Sequence, residues 1–116
     1  MEMFFNAQKK ALIVKLKTEL DHHSAKNVRR MVDLYFADSK ANHIIFDLSE
    51  LEFMDSSGIG LVLGRLKELR AVDGRILIIN PNPTMEKIFQ CSGLTPFIFK
   101  GTEIEALHFA GGKIYG

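Results

Sequence analysis

From residue 43 onward, the sequence alternates short apolar runs with segments of helical periodicity, and this alternation constrains the fold more than any other feature. The runs 43–48 and 75–79 are apolar almost throughout, as central strands covered on both faces are. A helical pattern follows each run, so successive strands must be joined by right-handed crossovers. This half of the chain is therefore predicted to form a parallel α/β sheet.

The first forty residues predict a hairpin and one helix. Residues 3–7 and 11–18 have strand character, and Ser24 is predicted to cap a helix that runs to about residue 38. A hairpin beside parallel strands makes the sheet mixed. We expect one α/β domain over residues 1–116, with four to five strands and about four helices mainly on one face of the sheet.

Three further elements complete the predicted order. The Asn-Pro pair at residues 82–83 is typical of a helix start, and Gly93 of its end. A short strand follows at residues 97–99. Thr102 and Glu105 have the spacing of a capping box, which predicts a last helix that ends near residue 108 and a tail that frays.

An acid and two hydroxyls stand between an apolar run and the helical segment that follows it. Asp55, Ser56 and Ser57 are all of the types preferred at helix N-caps, because a side-chain oxygen can accept one of the helix's unpaired N–H groups. On one interpretation the triplet is only a helix start. Capping needs only one residue. We therefore favour a second interpretation, in which Asp55 or Ser56 caps the helix and the Ser57 hydroxyl is available for a chemical role.

The helix after this triplet contains three glycines, which is unusual for a helix interior. Gly58, Gly60 and Gly64 each cost a helix interior roughly 1 kcal/mol relative to Ala, so something should require bare backbone. The periodicity puts five residues on the apolar face, namely Ile59, Val62, Leu63, Leu66 and Leu69, and Ser57, Leu61, Gly64, Arg65 and Glu68 opposite them. A small-residue ridge beside an exposed Leu61 is typical of a docking surface, although a neighbouring helix of the same chain could cover it instead.

Composition excludes several classes of protein. Fifteen Lys and Arg against fourteen Asp and Glu give a net charge of +1, which argues against a nucleic-acid-binding or anionic-membrane surface. The sequence has neither a signal peptide pattern nor an apolar run long enough to cross a bilayer. A lone Cys91, expected to be a buried inert thiol, excludes an internal disulfide and suits a reducing compartment. We expect a cytoplasmic protein.

No motif predicts catalysis, a metal site or a cofactor. Adjacent His22 and His23 rarely bind one ion, and a structural site needs three or four ligands. Gly58, Gly60 and Gly64 have the wrong spacing for a dinucleotide fingerprint, and there is no phosphate-binding loop motif. A hydrolase would need a base near Ser57, which His22 or His23 could supply, but the G-x-S-x-G motif is absent and no third, orienting group is evident. We therefore expect a protein that is not an enzyme.

Three segments resemble one known family. Residues 53–60, Phe-Met-Asp-Ser-Ser-Gly-Ile-Gly, are similar to the signature of bacterial anti-sigma factor antagonists, which are small proteins of STAS-domain type. Residues 20–23 and 85–94 resemble two further family segments, in the family's order, and the closest resemblance is to members that act in sporulation. One departure is visible, since the family usually has Gly where this sequence has Thr18.

The resemblance implies a STAS fold and a phosphorylation switch. In the family the second Ser of the pair is phosphorylated by the anti-sigma factor, itself a serine kinase, which implies that Ser57 is the phosphorylated residue. We expect the unmodified protein to bind that kinase and free its sigma factor, and a serine phosphatase to reset the switch. The residues expected to bind the partner are Asp21, Asp55, Ser56, Ser57, Gly58, Gly60, Leu61 and Arg65.

A receiver domain like that of a response regulator is the alternative. Asp47 ends one predicted strand, Asp21 follows another, and Lys100 closes a third, which loosely resembles an acidic pocket with a lysine. Against this alternative, no adjacent acidic pair ends the first strand, and the order of elements begins with a hairpin. Such a receiver would carry its phosphate on an aspartate rather than on Ser57.

Overall fold

The computed structural model describes residues 1–112, and within them strands and helices alternate after an opening hairpin. The elements are β1 (Glu2–Asn6), β2 (Ala11–Leu20), α1 (His22–Ser39), β3 (His43–Met54), α2 (Ser57–Arg70), β4 (Ile76–Ile79), α3 (Pro83–Cys91), β5 (Ile98–Phe99) and α4 (Glu103–Gly111). A short 3₁₀ helix, Thr95–Phe97, precedes β5, where the sequence predicted a strand from residue 97.

The sheet is mixed, as predicted, and its five strands lie in the order β1-β2-β3-β4-β5. β1 is antiparallel to β2, and every other neighbouring pair is parallel. β3 continues to Met54, six residues beyond the apolar run that predicted it, because its second half pairs with the end of β2. Several side chains of that extension are exposed, so hydropathy alone did not reveal it.

Three helices cover one face of the sheet and α4 covers the other, which confirms that the helices lie mainly on one face. Strand residues such as Phe46 and Ile78 pack in one cluster with α1, α2 and α3, which contribute Val32, Leu69 and Phe89. On the opposite face, a smaller cluster contains Ile45 of β3 and the alanines of α4, Ala106 and Ala110. Two apolar layers on one sheet therefore explain why the central strands are apolar throughout.

The helix starts follow the predicted capping chemistry, with one correction. Asn82 accepts a hydrogen bond from the Met85 N–H (2.9 Å), and Thr102 and Glu105 form the expected capping box. α1, however, is capped by Asp21 and not by Ser24, whose own N–H donates to Asp21 Oδ1 (2.8 Å). The Ser24 hydroxyl accepts from the Asp21 N–H in return (3.0 Å), so Ser24 is the third residue of a capping box.

The structure also bears on the predictions made for Cys91 and for the C-terminal tail. Cys91 is exposed, so the prediction of a buried thiol is wrong: Met85 and Phe89 take the buried positions of α3. The fraying predicted for the tail concerns mostly residues 113–116, which lie outside the described residues. None of the helices within residues 1–112 is long and apolar enough to cross a bilayer.

A pair of carboxyl groups joins β3 to the start of α4. Asp47 is 2% exposed, and its Oδ1 accepts hydrogen bonds from the Ser49 N–H (3.0 Å) and from Asn80 Nδ2 (3.1 Å). Burial raises the pKa of Asp47, but hydrogen bonds from Glu103, Ser49 and Asn80 outweigh it and hold the pKa below its usual value. The hydrogen bond to Asp47 raises the pKa of Glu103 to about 7, so Glu103 holds the shared proton.

This pair predicts a pH-dependent stability. Because the pKa of Glu103 rises from 4.5 to about 7 on folding, the folded protein binds a proton that the unfolded chain lacks between those values. The contribution of this pair to the free energy of unfolding should therefore fall as pH rises through that window, and Glu103→Gln should remove that fall relative to the unsubstituted protein. Denaturant unfolding measured from pH 4.5 to 7.5 tests this.

Glu52→Gln, which changes an exposed acid of β3 away from α4, is the matched control and should keep the wild-type slope. An unchanged slope in Glu103→Gln would show that the proton is not held by this pair.

Candidate functional site

The site is built where β2 and β3 end side by side. Their parallel register runs as far as Leu20 beside Met54, and the Asp55 N–H donates to the Leu20 carbonyl (3.1 Å) just beyond it. α1 and α2 both start at this edge of the sheet. Asp21 and Asp55, which are far apart in the sequence, are thereby brought to the same place.

Asp55 forms the turn that leads into α2. Its Oδ1 accepts a hydrogen bond from the Ser57 backbone N–H (2.8 Å), whereas the Ser56 side chain makes no capping hydrogen bond. Asp55 therefore does the capping that the sequence assigned to Asp55 or Ser56. The hydrogen bonds from the Ser57 N–H and, less strongly, the Ser57 hydroxyl hold the pKa of Asp55 below its usual value.

Asp21 caps α1 in a similar way. The hydrogen bond from the Ser24 backbone N–H, supported by the Ser24 side chain, holds the pKa of Asp21 below its usual value. Both acids are therefore ionised at neutral pH, and both are partly exposed at the same edge of the sheet. Ser57 is also partly exposed, and it serves no capping role.

Thr18 has the backbone conformation of the glycine that it replaces. Its φ is +68°, in the left-handed region that β-branched residues rarely adopt. The register of β2 against β3 shifts between Thr18 and Glu19, which is the kind of bulge in which Gly is favoured. The chain before Asp21 therefore carries backbone strain at Thr18.

Thr18→Gly should therefore stabilise the fold. The left-handed conformation costs a non-Gly residue roughly 1–2 kcal/mol, and the extra freedom of Gly in the unfolded chain offsets part of this gain. The expected net increase in the free energy of unfolding is about 1 kcal/mol, measured by urea denaturation. Thr18→Ala keeps a Cβ and should gain less, and a destabilised Thr18→Gly variant would contradict the strain at this position.

The three glycines of α2 differ in whether the surrounding structure leaves room for a side chain. A Cβ at Gly58 would lie 2.5 Å from Met54 Sδ and 3.3 Å from Leu20 Cδ2, so this glycine is required by the chain's own packing. A Cβ at Gly60 or Gly64 would meet nothing within 4 Å. Nothing within the described residues therefore requires bare backbone at these two positions.

Alanine at two of these positions should have opposite effects on stability. Gly58→Ala forces the buried Met54 to move and should lower the free energy of unfolding by about 1–3 kcal/mol. Gly60→Ala fills open space in a helix and should raise it by up to about 1 kcal/mol. Urea denaturation of the two variants measures both, and equal effects would contradict this account of the glycines.

The exposed docking face predicted for α2 is wrong at Leu61 and Arg65. Leu61 is 3% exposed and Arg65 is 5% exposed, whereas Leu63, predicted to be buried, is 46% exposed. The buried face is rotated because α1 packs against α2, which is the covering helix that the sequence left open. Arg65 Nη1 lies 3.2 Å from Asp33 Oδ1 of α1, and Arg65 Nη2 lies 3.3 Å from Glu68 Oε1, so Arg65 ties the two helices together.

A groove of about 230 Å³ runs between the first turns of α1 and α2. It is lined by His22, Ala25, Lys26 and Arg29 of α1 and by Ser57, Gly60 and Leu61 of α2. We call it the α1–α2 groove. Neither Lys26 nor Arg29 has a salt-bridge partner among residues 1–112, so two unpaired cations lie beside Ser57.

The remaining histidines have separate environments. His43 Nδ1 accepts a hydrogen bond from the Arg75 N–H (3.0 Å), and burial lowers the pKa of His43. His23 and His108 are exposed. Within the part of the chain that is described, no three His, Cys, Asp or Glu side chains are grouped so that they could hold a metal ion.

The residues of the receiver alternative do not form one pocket. Asp47 is buried and hydrogen-bonded on the α4 side of the sheet, whereas Asp21 caps α1, a helix of the opposite layer. Lys100 is exposed, and the cation that lies near Asp47 is Lys15. An accessible acidic pocket with Lys100 is therefore absent from residues 1–112.

The mixed sheet and the two capped helices that start at one edge of it point to a known family. The STAS domain family matches residues 5–108, and this chain belongs to it. An anti-sigma F factor antagonist of Lysinibacillus sphaericus is 43% identical over 108 residues, covering 93% of this chain and 92% of the relative.

Solved structures agree in fold and in sequence. The anti-sigma factor antagonist SpoIIAA in its unphosphorylated form is similar with a TM-score of 0.87 and 38% identity, over 98% of both chains. The Bacillus cell fate determinant SpoIIAA in the phosphorylated form is similar with a TM-score of 0.76 and 41% identity, over 93% of this chain and 96% of that one. These similarities favour an anti-sigma factor antagonist and not the receiver alternative.

Proposed function

We propose that this protein is an anti-sigma factor antagonist that acts in the control of sporulation. In its unmodified form it binds an anti-sigma factor that is a serine kinase, and the sigma factor is released for transcription. The observation that carries the proposal is a partly exposed Ser57 whose side chain does not cap a helix, at the edge of the sheet where Asp55 and Asp21 perform the capping. The similarity to antagonists over nearly the whole chain supports it.

Ser57 is the proposed phosphorylation site. The kinase's ATP supplies the phosphoryl group: a bond forms to Ser57 Oγ, the bond to ADP breaks, and the hydroxyl proton is released. A solved relative in phosphorylated form supports regulation of this kind. Within the pair, Ser57 is preferred to Ser56 because Ser57 lines the α1–α2 groove. A serine phosphatase would then return the protein to its binding form.

The proposed docking surface surrounds Ser57. Asp21, Asp55, Ser56 and Gly60 lie at or next to this edge of the sheet and are at least partly exposed. Three other residues from the predicted set are buried, and we assign them supporting roles: Gly58 packs on Met54, Leu61 belongs to the core, and Arg65 holds α1 against α2. The partner therefore contacts the start of α2 and not its length.

Electrostatics explain how a phosphate would cancel binding. Phosphorylation adds close to two negative charges. The helix N-terminus favours such a charge by about 0.3–1 kcal/mol. A partner carboxylate at about 5 Å would meet repulsion of about 3 kcal/mol per unit charge at an effective dielectric near 20. The larger contribution acts between the two proteins, so phosphorylation blocks association while the fold of this protein is kept.

Substitutions at the serine pair test the assignment. Ser57→Ala should abolish labelling by a candidate anti-sigma kinase with ATP and should keep binding, because only the hydroxyl is lost. Ser57→Asp should weaken binding roughly ten- to hundredfold, the free-energy equivalent of part of that repulsion. Intact mass and site mapping measure the labelling, and titration calorimetry measures the affinity.

Ser56→Ala is the matched control, and it should be phosphorylated normally. Loss of labelling in Ser56→Ala alone would place the modification one residue earlier. A phosphate released by hydroxylamine would indicate an acyl phosphate on an aspartate, and no labelling under any kinase would leave an adaptor without a switch.

The proposed activity is one of binding and not of catalysis. The relatives are named for antagonism of an anti-sigma factor, which is a regulatory role. We place the protein in the cytoplasm, where bacterial sigma factors act in transcription, and we propose no direct contact with nucleic acid or with a membrane. The net charge of +1 supports this assignment.

A further inference from the structure

We propose that the phosphate on Ser57 is bound in the α1–α2 groove by Lys26 and Arg29 of the same chain. The inference rests on the proposed phosphorylation of Ser57 and names where the phosphate goes once it is attached. The phosphate then adds its negative charge to the partner-binding edge in a defined position, beside Lys26 and Arg29.

The groove has suitable chemistry and size for a phosphate. Lys26 and Arg29 are three residues apart on α1, so both side chains lie on the same side of that helix. Both line the groove beside Ser57, and neither has a salt-bridge partner among the described residues. Gly60 leaves open space on the α2 side, and the groove's volume of about 230 Å³ accommodates one phosphate group.

The carboxylate of Asp55, which contacts Ser57, favours movement of a phosphate towards the cations of the groove. Asp55 accepts a hydrogen bond from the Ser57 backbone N–H (2.8 Å), and the Ser57 hydroxyl also lies against this carboxylate. A phosphorylated Oγ has no proton to donate, so that second contact is lost on modification. Ionised Asp55 then repels the phosphate, whereas Lys26 and Arg29 in the groove attract it.

The charged groups around the phosphate favour this position. Asp21 and Asp55 lie at the sheet edge, and each already accepts hydrogen bonds from backbone N–H groups. His22, Lys26 and Arg29 line the groove. Asp21 and Asp55 repel a phosphate on Ser57, whereas the two permanent positive charges of Lys26 and Arg29 in the groove attract it. The planar guanidinium of Arg29 can also bind two phosphate oxygens at once.

Phosphorus NMR tests the inference. The protein is made with phosphoserine incorporated at position 57, and the second pKa of the phosphate is measured by titration. Nearby cations lower this pKa from its usual value of about 6, whereas Asp21 and Asp55 raise it. We expect the double variant Lys26→Gln/Arg29→Gln to have a phosphate pKa about 0.5–1 unit higher than the unsubstituted protein.

A second double variant controls for net charge. Arg30→Gln/Lys67→Gln removes two exposed cations that do not line the groove and should leave the phosphate pKa unchanged. All four side chains are exposed, so both variants should fold. Equal pKa values in all three proteins, or equal increases in both double variants, would overturn the inference.

The test is independent of the proposed function. Because phosphoserine is incorporated during synthesis, the titration reports on the groove whether or not a kinase acts on Ser57. A kinase that fails to label Ser57 would overturn the proposed function alone. Labelling of Ser57 together with equal phosphate pKa values in all three proteins would overturn the groove alone.

Discussion

The parallel pairing of β2 with β3 is the constraint on which the site depends. The two strands stay in contact from Ala11 beside His43 to Leu20 beside Met54, and the hydrogen bond from the Asp55 N–H to the Leu20 carbonyl closes the pair. Both strands therefore end at the same edge of the sheet, and each is followed by a helix. A shorter β3 would have ended well before Asp55, and the two acidic turns would not have met.

At this edge of the sheet, the residues that cap the helices are different from the residue proposed to be modified. Asp21 and Asp55 satisfy backbone N–H groups at the starts of α1 and α2, and their low pKa values reflect those hydrogen bonds. Ser57 makes no capping hydrogen bond through its side chain, and its hydroxyl contacts the Asp55 carboxylate, which is already held by the Ser57 backbone N–H. Two turns further on, the buried Arg65 forms an ion pair between α2 and Asp33 of α1.

Local chemistry was predicted well because it acts over a few residues. Asn82 with Pro83, and Thr102 with Glu105, mark helix starts through hydrogen bonds that span three positions, and the structure contains both. The same chemistry was ambiguous at α1, where Asp21 and Ser24 both qualify as caps and form a reciprocal pair. Periodicity also failed to predict that Cys91 is exposed, because a helix repeat does not tell which of its faces meets the sheet.

The sequence by itself determined the order and type of the elements, the mixed α/β class, and an acid followed by two hydroxyls at the start of a helix. Hydropathy and capping are properties of neighbouring residues, so these features could be read directly. Only the tertiary structure decided that α1 covers Leu61 and Arg65, that β3 extends to Met54, and that Lys26 and Arg29 face Ser57. Each of these depends on which distant segment packs alongside, and that is set by strand pairing and helix packing across the whole domain.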